Sequence, residues 1–501
     1  MDQHGTREAG MSRRQMLQMS ALAASGAATV GFRDVRVRAS QAEGEGALLI
    51  RGGHLVTADR RWNADIRIRD GKIAEIGPRL QVRGEDRVIK ASGLQVLPGG
   101  IDPHAHLLPP WVDDYDVGSR GALAGGITSI GCMANAQRGE TFVDALAREA
   151  ARVREQSIAD IFLHPILGSP SNDVRGRLSE LPRTGHSDIK IFMTSPTFVQ
   201  NQEAWAELIR EAGRLGLITM LHCEDAQTMA DAAKALTAAG QTALRYYPES
   251  RPIESEVKAV ERAVALCEQS GAPIYIVHLS SKAALDVCQR ARARRLPVYV
   301  ETRPIYLYFT SERYQQPDGP LYVGQPPLRE ASDVRALWEG LASGSIDTLG
   351  TDHAPWTREQ KMDPELTIAK FRPGVADLQT MLPVFYSEGV SKKKVSLERF
   401  VAVTSTNAAR LFGLFPQKGT IAVGSDADLA LWDPKARRRL SRADVVSRAG
   451  FSLFEGWTLT GWPTMTVRRG EVVFEHGKIT ALPGSGIVLS PGPTQSLGPS
   501  V

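Results

Sequence analysis

Cysteine is scarce in this chain. The four in 501 residues, Cys132, Cys223, Cys267 and Cys288, include no CxxC pair and make no disulfide framework, so they read as buried thiols. No apolar run reaches the ~20 residues needed to cross a bilayer, and no membrane span is expected. No GxGxxG follows the first candidate strand, which counts against a dinucleotide-binding fold. A surplus of one charge is missing as well. The formal net charge is +4, and residues 1–42 contribute six Arg against three acids, so the remainder is close to neutral. Without a general basic field, nucleic acid is not an expected partner.

What is present is an ordinary globular composition, 42% hydrophobic and 23% charged. At this length the chain makes two to four domains, or one large barrel with an attached module. Its first 42 residues resemble a twin-arginine export signal. Ser12-Arg13-Arg14-Gln15-Met16-Leu17 precedes a weakly apolar, Ala-rich run over 19–32, and Ser40-Gln41-Ala42 offers small residues for cleavage. Arg33, Arg36 and Arg38 between the two speak against that reading. The expected location is periplasmic or extracellular, with the cytoplasm as the alternative. Twin-arginine export carries folded proteins, which suits an enzyme that must collect metal first.

Residues 47–96 and 416–483 share a texture of short alternating strands. Asp70-Gly71 between two alternations is a hairpin signal. Two β-rich ends around a long middle suggest one small composite β-sandwich domain. The middle, 97–415, carries eight apolar strand candidates at 94–103, 127–132, 160–167, 188–193, 217–222, 273–279, 298–302 and 346–351. Helical patterns fall between them, among them 143–154, 203–214, 257–269, 283–294 and 332–341. That is the arithmetic of an α/β fold of the (β/α)8 TIM barrel kind. Residues 484–501, rich in Gly, Ser and Pro, read as a mobile tail.

The first barrel strand ends in Asp102-Pro103-His104-Ala105-His106. Residues two apart in a strand point the same way, so two imidazoles there can hold one cation. Other ligand types stand at later strand ends: Lys190, His222, His278 and Asp352. A Lys inside an apolar strand is costly while charged. Either Lys190 snorkels or finds a buried carboxylate, or its neutral amine adds CO2 and becomes a carboxylate long enough to bridge two metals. On the second reading His104, His106 and Asp352 hold one ion and His222 and His278 the other.

The set resembles the cyclic amidohydrolases of the amidohydrolase superfamily, the group of dihydropyrimidinase (hydantoinase), allantoinase and dihydroorotase. The resemblance covers about 47–483. It rests on Gly-Gly-Ile-Asp-Pro-His-x-His, Lys-Ile-Phe-Met, His-Cys-Glu-Asp, Val-His-Leu-Ser-Ser, Pro326-Pro327-Leu328-Arg329, Gly-Thr-Asp-His-Ala-Pro and the run from Lys418. It implies the barrel with its composite β domain, and two divalent ions, zinc expected, on His104, His106, Lys190, His222, His278 and Asp352. Lys190 would be N-carboxylated, and the chain a dimer or tetramer. It also implies hydrolysis of a cyclic amide, imide or ureide by a metal-bridging hydroxide, Asp352 acting as base and then acid.

Departures concern the substrate. Leu108 stands where dihydroorotases carry Arg. Ser195 falls where hydantoinases carry an oxyanion-stabilising Tyr, and Gln325 where they carry Ser. The usual substrate-binding Asn is replaced near Lys370–Arg372, and the run from Gly374 to Gln379 looks more like allantoinase or dihydroorotase relatives. Arg303 and Arg372 are candidates to meet an anionic substrate group, although structural roles weigh more. Trp111 to Asp116 would wall the pocket, and His353 would orient the site. His54, His164, His186 and His476 lie off the strand ends and take no functional role. The alternatives are allantoinase- or dihydroorotase-like activity, a linear amide or ester hydrolase, and a non-catalytic scaffold. The intact ligand set argues against the last.

Overall fold

The computed structural model describes residues 46–497, so the expected export signal over 1–42 lies outside the described residues. Strands β1 (Leu48–Val56), β2 (Arg61–Arg69), β3 (Lys72–Gly77), β4 (Arg87–Lys90) and β5 (Gln95–Pro98) open the chain. The barrel strands follow: β6 (Gly100–Ala105), β7 (Ile127–Ala134), β8 (Asp160–Pro165), β9 (Asp188–Phe192), β10 (Ile218–His222), β11 (Ile274–Ile276), β12 (Val298–Thr302) and β13 (Thr348–Leu349). The C-terminal part adds β14 (Leu429–Arg439), β15 (Thr458–Arg468), β16 (Glu471–Glu475) and β17 (Lys478–Ile479).

The two chain ends share one mixed sheet of nine strands, ordered β17-β16-β15-β14-β5-β1-β2-β3 with β4 on β1. The expected composite β domain is present as this sheet, and it encloses one apolar core to which Ile50, Ile66, Val96, Leu429 and Val467 contribute. The seam between the ends is the antiparallel β5–β14 pair, Pro98 opposite Leu429 and Leu97 opposite Ala430. At the hairpin between β2 and β3, Asp70 and Gly71 both adopt positive φ, 51° and 74°.

The expected strand 94–103 is two strands. Its first half, β5, belongs to the composite sheet and its second, β6, to the barrel. The break falls at Gly99, where a Cβ would stand 2.2 Å from Thr128 Oγ1, so no larger residue fits the corner.

The eight barrel strands form two parallel sheets, β6-β7-β8 and β9 to β13. Parallel bridges Ile166–Lys190 and Ala105–His353 join the sheets and close the ring. Ladder pairing at β11 and β13 is shorter than their apolar runs, because the backbone turns to positive φ at His278 and Asp352 just beyond. The expected helices are present, as at Phe142–Gln156, where Thr141 and Asp144 form a reciprocal capping box.

The expected mobile tail is docked as far as the described residues go. Val488 bridges to Ile161, whose N–H donates to the Ile487 carbonyl at 2.8 Å, and the Leu489 N–H donates back to the Ile161 carbonyl at 2.7 Å. Composition marked these residues as loop-forming. What holds them is the free edge of β8, whose backbone groups need partners once buried.

Beneath the barrel, the buried Lys418 ammonium lies 2.7 Å from Asp160, 2.7 Å from Asp428 and 3.1 Å from Asp426. Asp160 begins β8 and Asp428 precedes β14, so this cation ties barrel to composite sheet. Burial opposes the charge on Lys418, but the three carboxylates outweigh it and raise its pKa. A raised Lys contributes stability below its unfolded pKa and loses it only far into alkali, so the contribution is complete at neutral pH. Lys418→Met strands buried carboxylates without their cation. It should lower unfolding stability by about 3–5 kcal/mol, read as an earlier urea transition at pH 7.

Candidate metal centre

Asp102, His104 and His106 alternate along one face of β6 and its exit, and all three are buried. Asp102 lies deepest. Its Oδ1 accepts from the Thr351 N–H at 3.0 Å and the His104 N–H at 3.2 Å, and its Oδ2 accepts from the Thr351 hydroxyl. Burial pushes the Asp102 carboxyl up to about 7. These bonds fasten the start of the barrel to the segment after β13 and so bring Asp352 to the histidines. Asp352 Oδ1 stands 3.0 Å from His106 Nε2 and 3.3 Å from His104 Nε2. One ligand atom from each of the three lies within 4.8 Å of the others, a geometry suited to a divalent cation.

A second pair sits beside the first. His222 Nδ1 and His278 Nε2 are 2.9 Å apart, and the His104 and His278 rings stack with centroids 5.6 Å apart. Each outer ring nitrogen that is engaged meets a carboxylate. His104 Nδ1 is 2.9 Å from Glu301 Oε1, and His222 Nε2 is 2.7 Å from Glu224 Oε2, which Arg251 neutralises. Such partners fix ring orientation and leave the inner nitrogens free for a metal. Burial first, with help from the Lys190 charge, holds His104 and His278 well below the usual imidazole range.

Lys190 is fully buried, and its Nζ has no hydrogen-bond partner. Burial pulls its pKa down to about 8, partly offset by Asp352 and Glu301. The alternative sequence reading, a Lys satisfied by a buried carboxylate, therefore lacks its hydrogen bond. Asp352 behaves oppositely. Burial opposes its charge, but Arg303, His104 and His106 together outweigh that and hold the carboxyl well below its usual range.

Of the four residues expected to meet substrate, Arg303 pairs directly with a member of the His104–His106–Asp352 group. It is 0% exposed, with Nη1 2.9 Å from Asp352 Oδ2. It thus sits behind Asp352, out of reach of an anionic substrate group. Ser195 caps the short helix Pro196–Gln200, its Oγ accepting from the Thr197 N–H at 3.2 Å. Gln325, with its amide turned to satisfy both ends, accepts from Arg251 Nη1 at 3.2 Å. Arg372 packs over the Trp356 ring at 5.0 Å. Trp111 lies against His106, ring centroids 4.5 Å apart. His353 donates through Nε2 to Asp113 at 3.0 Å and supports the site from behind.

Sequence reasoning missed Glu301, Asp102 and Glu224. The signal was available for the first. Glu301 stands inside the apolar strand Val298–Thr302, the same anomaly that singled out Lys190. Its Oε1 also accepts from the His278 N–H at 2.9 Å, and its Oε2 from the Tyr275 hydroxyl at 2.9 Å.

The family model described as the amidohydrolase family matches residues 95–473. The chain belongs to the amidohydrolase family. Among curated relatives of this amidohydrolase, a D-hydantoinase of Rhizobium radiobacter is 34% identical over 448 residues, 88% of this chain and 97% of that protein. A D-hydantoinase of Geobacillus stearothermophilus is 35% identical over 451 residues, 87% of this chain and 95% of that one. Among solved structures, a dihydropyrimidinase from Brevibacillus agri superposes with a TM-score of 0.87 at 33% identity, covering 90% of this chain and all of that one.

Glu301 links both halves of the amidohydrolase site, so its loss should be felt at the metal. Glu301→Gln keeps the shape but weakens the carboxylate that orients His104. The expected result is a 10–100-fold loss of metal affinity, on the order seen for such supporting carboxylates, measured by titration of chelator-treated protein with zinc.

Proposed function

We propose that this amidohydrolase opens a C–N amide bond of a cyclic amide, imide or ureide with the help of two divalent ions. The observation that carries the reading is the convergence of His104, His106 and Asp352 beside a second imidazole pair and a buried, unpartnered amine. The likeness to D-hydantoinases over nearly their whole length supports the ring-amide part.

His104, His106 and Asp352 would hold one ion, and His222 and His278 the other. Lys190 would stand between them. A sealed Nζ without an acceptor is a poor place for an ammonium, which supports carboxylation. The neutral amine bonds to the carbon of CO2, one proton leaves, and the resulting carbamate offers two oxygens. Zinc suits these imidazole and carboxylate donors, which also accept manganese or cobalt. When bound, the ions supply hydroxide near neutral pH and polarise the scissile carbonyl.

Asp352 handles the proton. Its side chain is 13% exposed against 1% for His104, so it faces the space that substrate must enter. As a carboxylate it takes the proton of the attacking water and returns it to the leaving nitrogen, which departs poorly unprotonated. The substrate grip is this chain's own. The Ser195 hydroxyl is engaged as a helix cap, and Leu108 stands where dihydroorotases carry Arg.

The test is a hydrolysis screen of metal-loaded protein on hydantoins, dihydropyrimidines, allantoin, dihydroorotate, cyclic imides and lactams. Turnover of a ring amide with about two metals per chain is expected. Lys190→Ala should lose metal and turnover together, with partial recovery in millimolar acetate or propionate and none for His104→Ala. A Lys190→Ala protein that keeps both metals and its activity overturns the bridging role.

We extend the proposal to export on the strength of Arg13 and Arg14 ahead of the apolar run. Changing both to Lys should strand the protein in the cytoplasm, and cell fractionation that still finds it outside refutes the reading.

A further inference from the structure

Arg303 is a large cation sealed inside the protein, directly behind the residue that handles the proton. It follows β12 and shares a face with Glu301 two residues earlier, and both side chains are fully buried. Its guanidinium touches one short stretch three times. Nε donates to the Thr351 carbonyl at 2.9 Å, Nη2 reaches the Asp352 carbonyl at 3.4 Å, and Nη1 stands 2.9 Å from Asp352 Oδ2.

That stretch is strained. Asp352 has φ of 47°, a region that residues with a Cβ occupy only when surrounding contacts hold them there. A planar fork that grips both flanking carbonyls and the carboxylate is such a contact. It leaves Oδ1 turned to His104 and His106. A lysine ammonium could supply the charge but not the fork.

A second anomaly lies next to it. Asp377 is 0% exposed, and neither carboxylate oxygen has a hydrogen-bond partner. The Arg303 charge acts on it, and it acts on Arg303 in return. Arg303 Nη1 likewise has no aligned hydrogen-bond acceptor, its approach to Asp352 being an ion pair. A buried cation already paired with Asp352 and a buried carboxylate with no hydrogen bond of its own thus act on each other. Once the charge of Asp352 is committed to a cation, Arg303 needs another negative neighbour, and Asp377 is already in place.

We propose that Arg303 is the positioning residue of Asp352 and that Asp377 is its standing counter-ion. This rests on the hydrolase reading above, and neither residue is expected to touch substrate.

The test compares full-length, zinc-loaded wild type with Arg303→Lys, Arg303→Met, Asp377→Asn and the Arg303→Met/Asp377→Asn double variant. Two readouts are taken: zinc retention against excess chelator, and kcat and KM on the best ring amide of the screen. Both Arg303 variants should release zinc about tenfold faster and lose about 10–100-fold in kcat, with KM changed less than about threefold, the scale of other supporting partners at metal sites. Asp377→Asn should fall in the same direction but less far. The double variant should be no worse than Arg303→Met, because a counter-ion has no task without its cation. An Arg303→Lys enzyme that behaves as wild type overturns the proposal, since charge alone would then suffice. So does a loss confined to KM, which would mean substrate contact, or full additivity in the double variant. If Arg303→Met does not fold, Arg303→Lys and Asp377→Asn decide. Wild type that retains no zinc or opens no ring refutes the hydrolase reading itself, and that outcome is visible before any variant is made.

Discussion

The site depends on the closure of the barrel between its first and last strands. His104 and Asp352 are far apart in the chain, and only the meeting of β6 with the segment after β13 brings them together. Two sets of bonds hold that meeting. Asp102 receives the backbone and hydroxyl of Thr351, and the His106 N–H donates to the His353 carbonyl at 2.8 Å. Slippage by one residue would turn the alternating face of β6 away from the mouth and scatter the ligands. The metal centre is therefore a consequence of register.

Around that closure the protein concentrates buried acids and bases. Asp102, Glu301, Glu224, Lys190, Arg251 and Arg303 all lie in the interior, where charge is costly unless paired. Most are paired. Glu224 with Arg251 holds the outer nitrogen of His222, and Glu301 serves His104, His278 and Tyr275 at once. Among the described residues, Lys190 Nζ, His278 Nδ1, Arg303 Nη1 and both oxygens of the nearby Asp377 have no hydrogen-bond partner. Positive φ at His278 and Asp352 belongs to the same pattern, since both lie just beyond barrel strands whose ladder pairing ends early.

The composite sheet steadies the frame from the opposite side. Its seam at β5 and β14 makes the two chain ends interdependent, and Lys418 with its three carboxylates pins that sheet beneath β8. The docked segment beyond residue 484 covers the edge of the same strand. Strand β6, which carries His104 and His106, continues directly from β5 of that sheet, and β8 two places along the barrel is pinned to it as well.

Much of this was legible without coordinates. Period-two apolar runs and the helical patterns between them report burial on known faces, and that local information carries the eight strands, the helices between them and the turn at Asp70-Gly71. His-x-His and a lone Lys in an apolar strand are anomalies of residue type, visible because an interior normally refuses them. Residue type also explains why Glu301 was within reach and why Arg303 was noticed without its partner: the sequence shows that a charge is present, not what it pairs with. The split of one apolar run at Gly99, the engagement of Ser195 as a helix cap, the docking of a Gly- and Pro-rich tail and the pairing of Arg303 with Asp352 are decisions of tertiary structure. Each depends on what stands opposite a residue after hundreds of intervening positions have folded, and local pattern, which encodes period and polarity, holds no record of that partner.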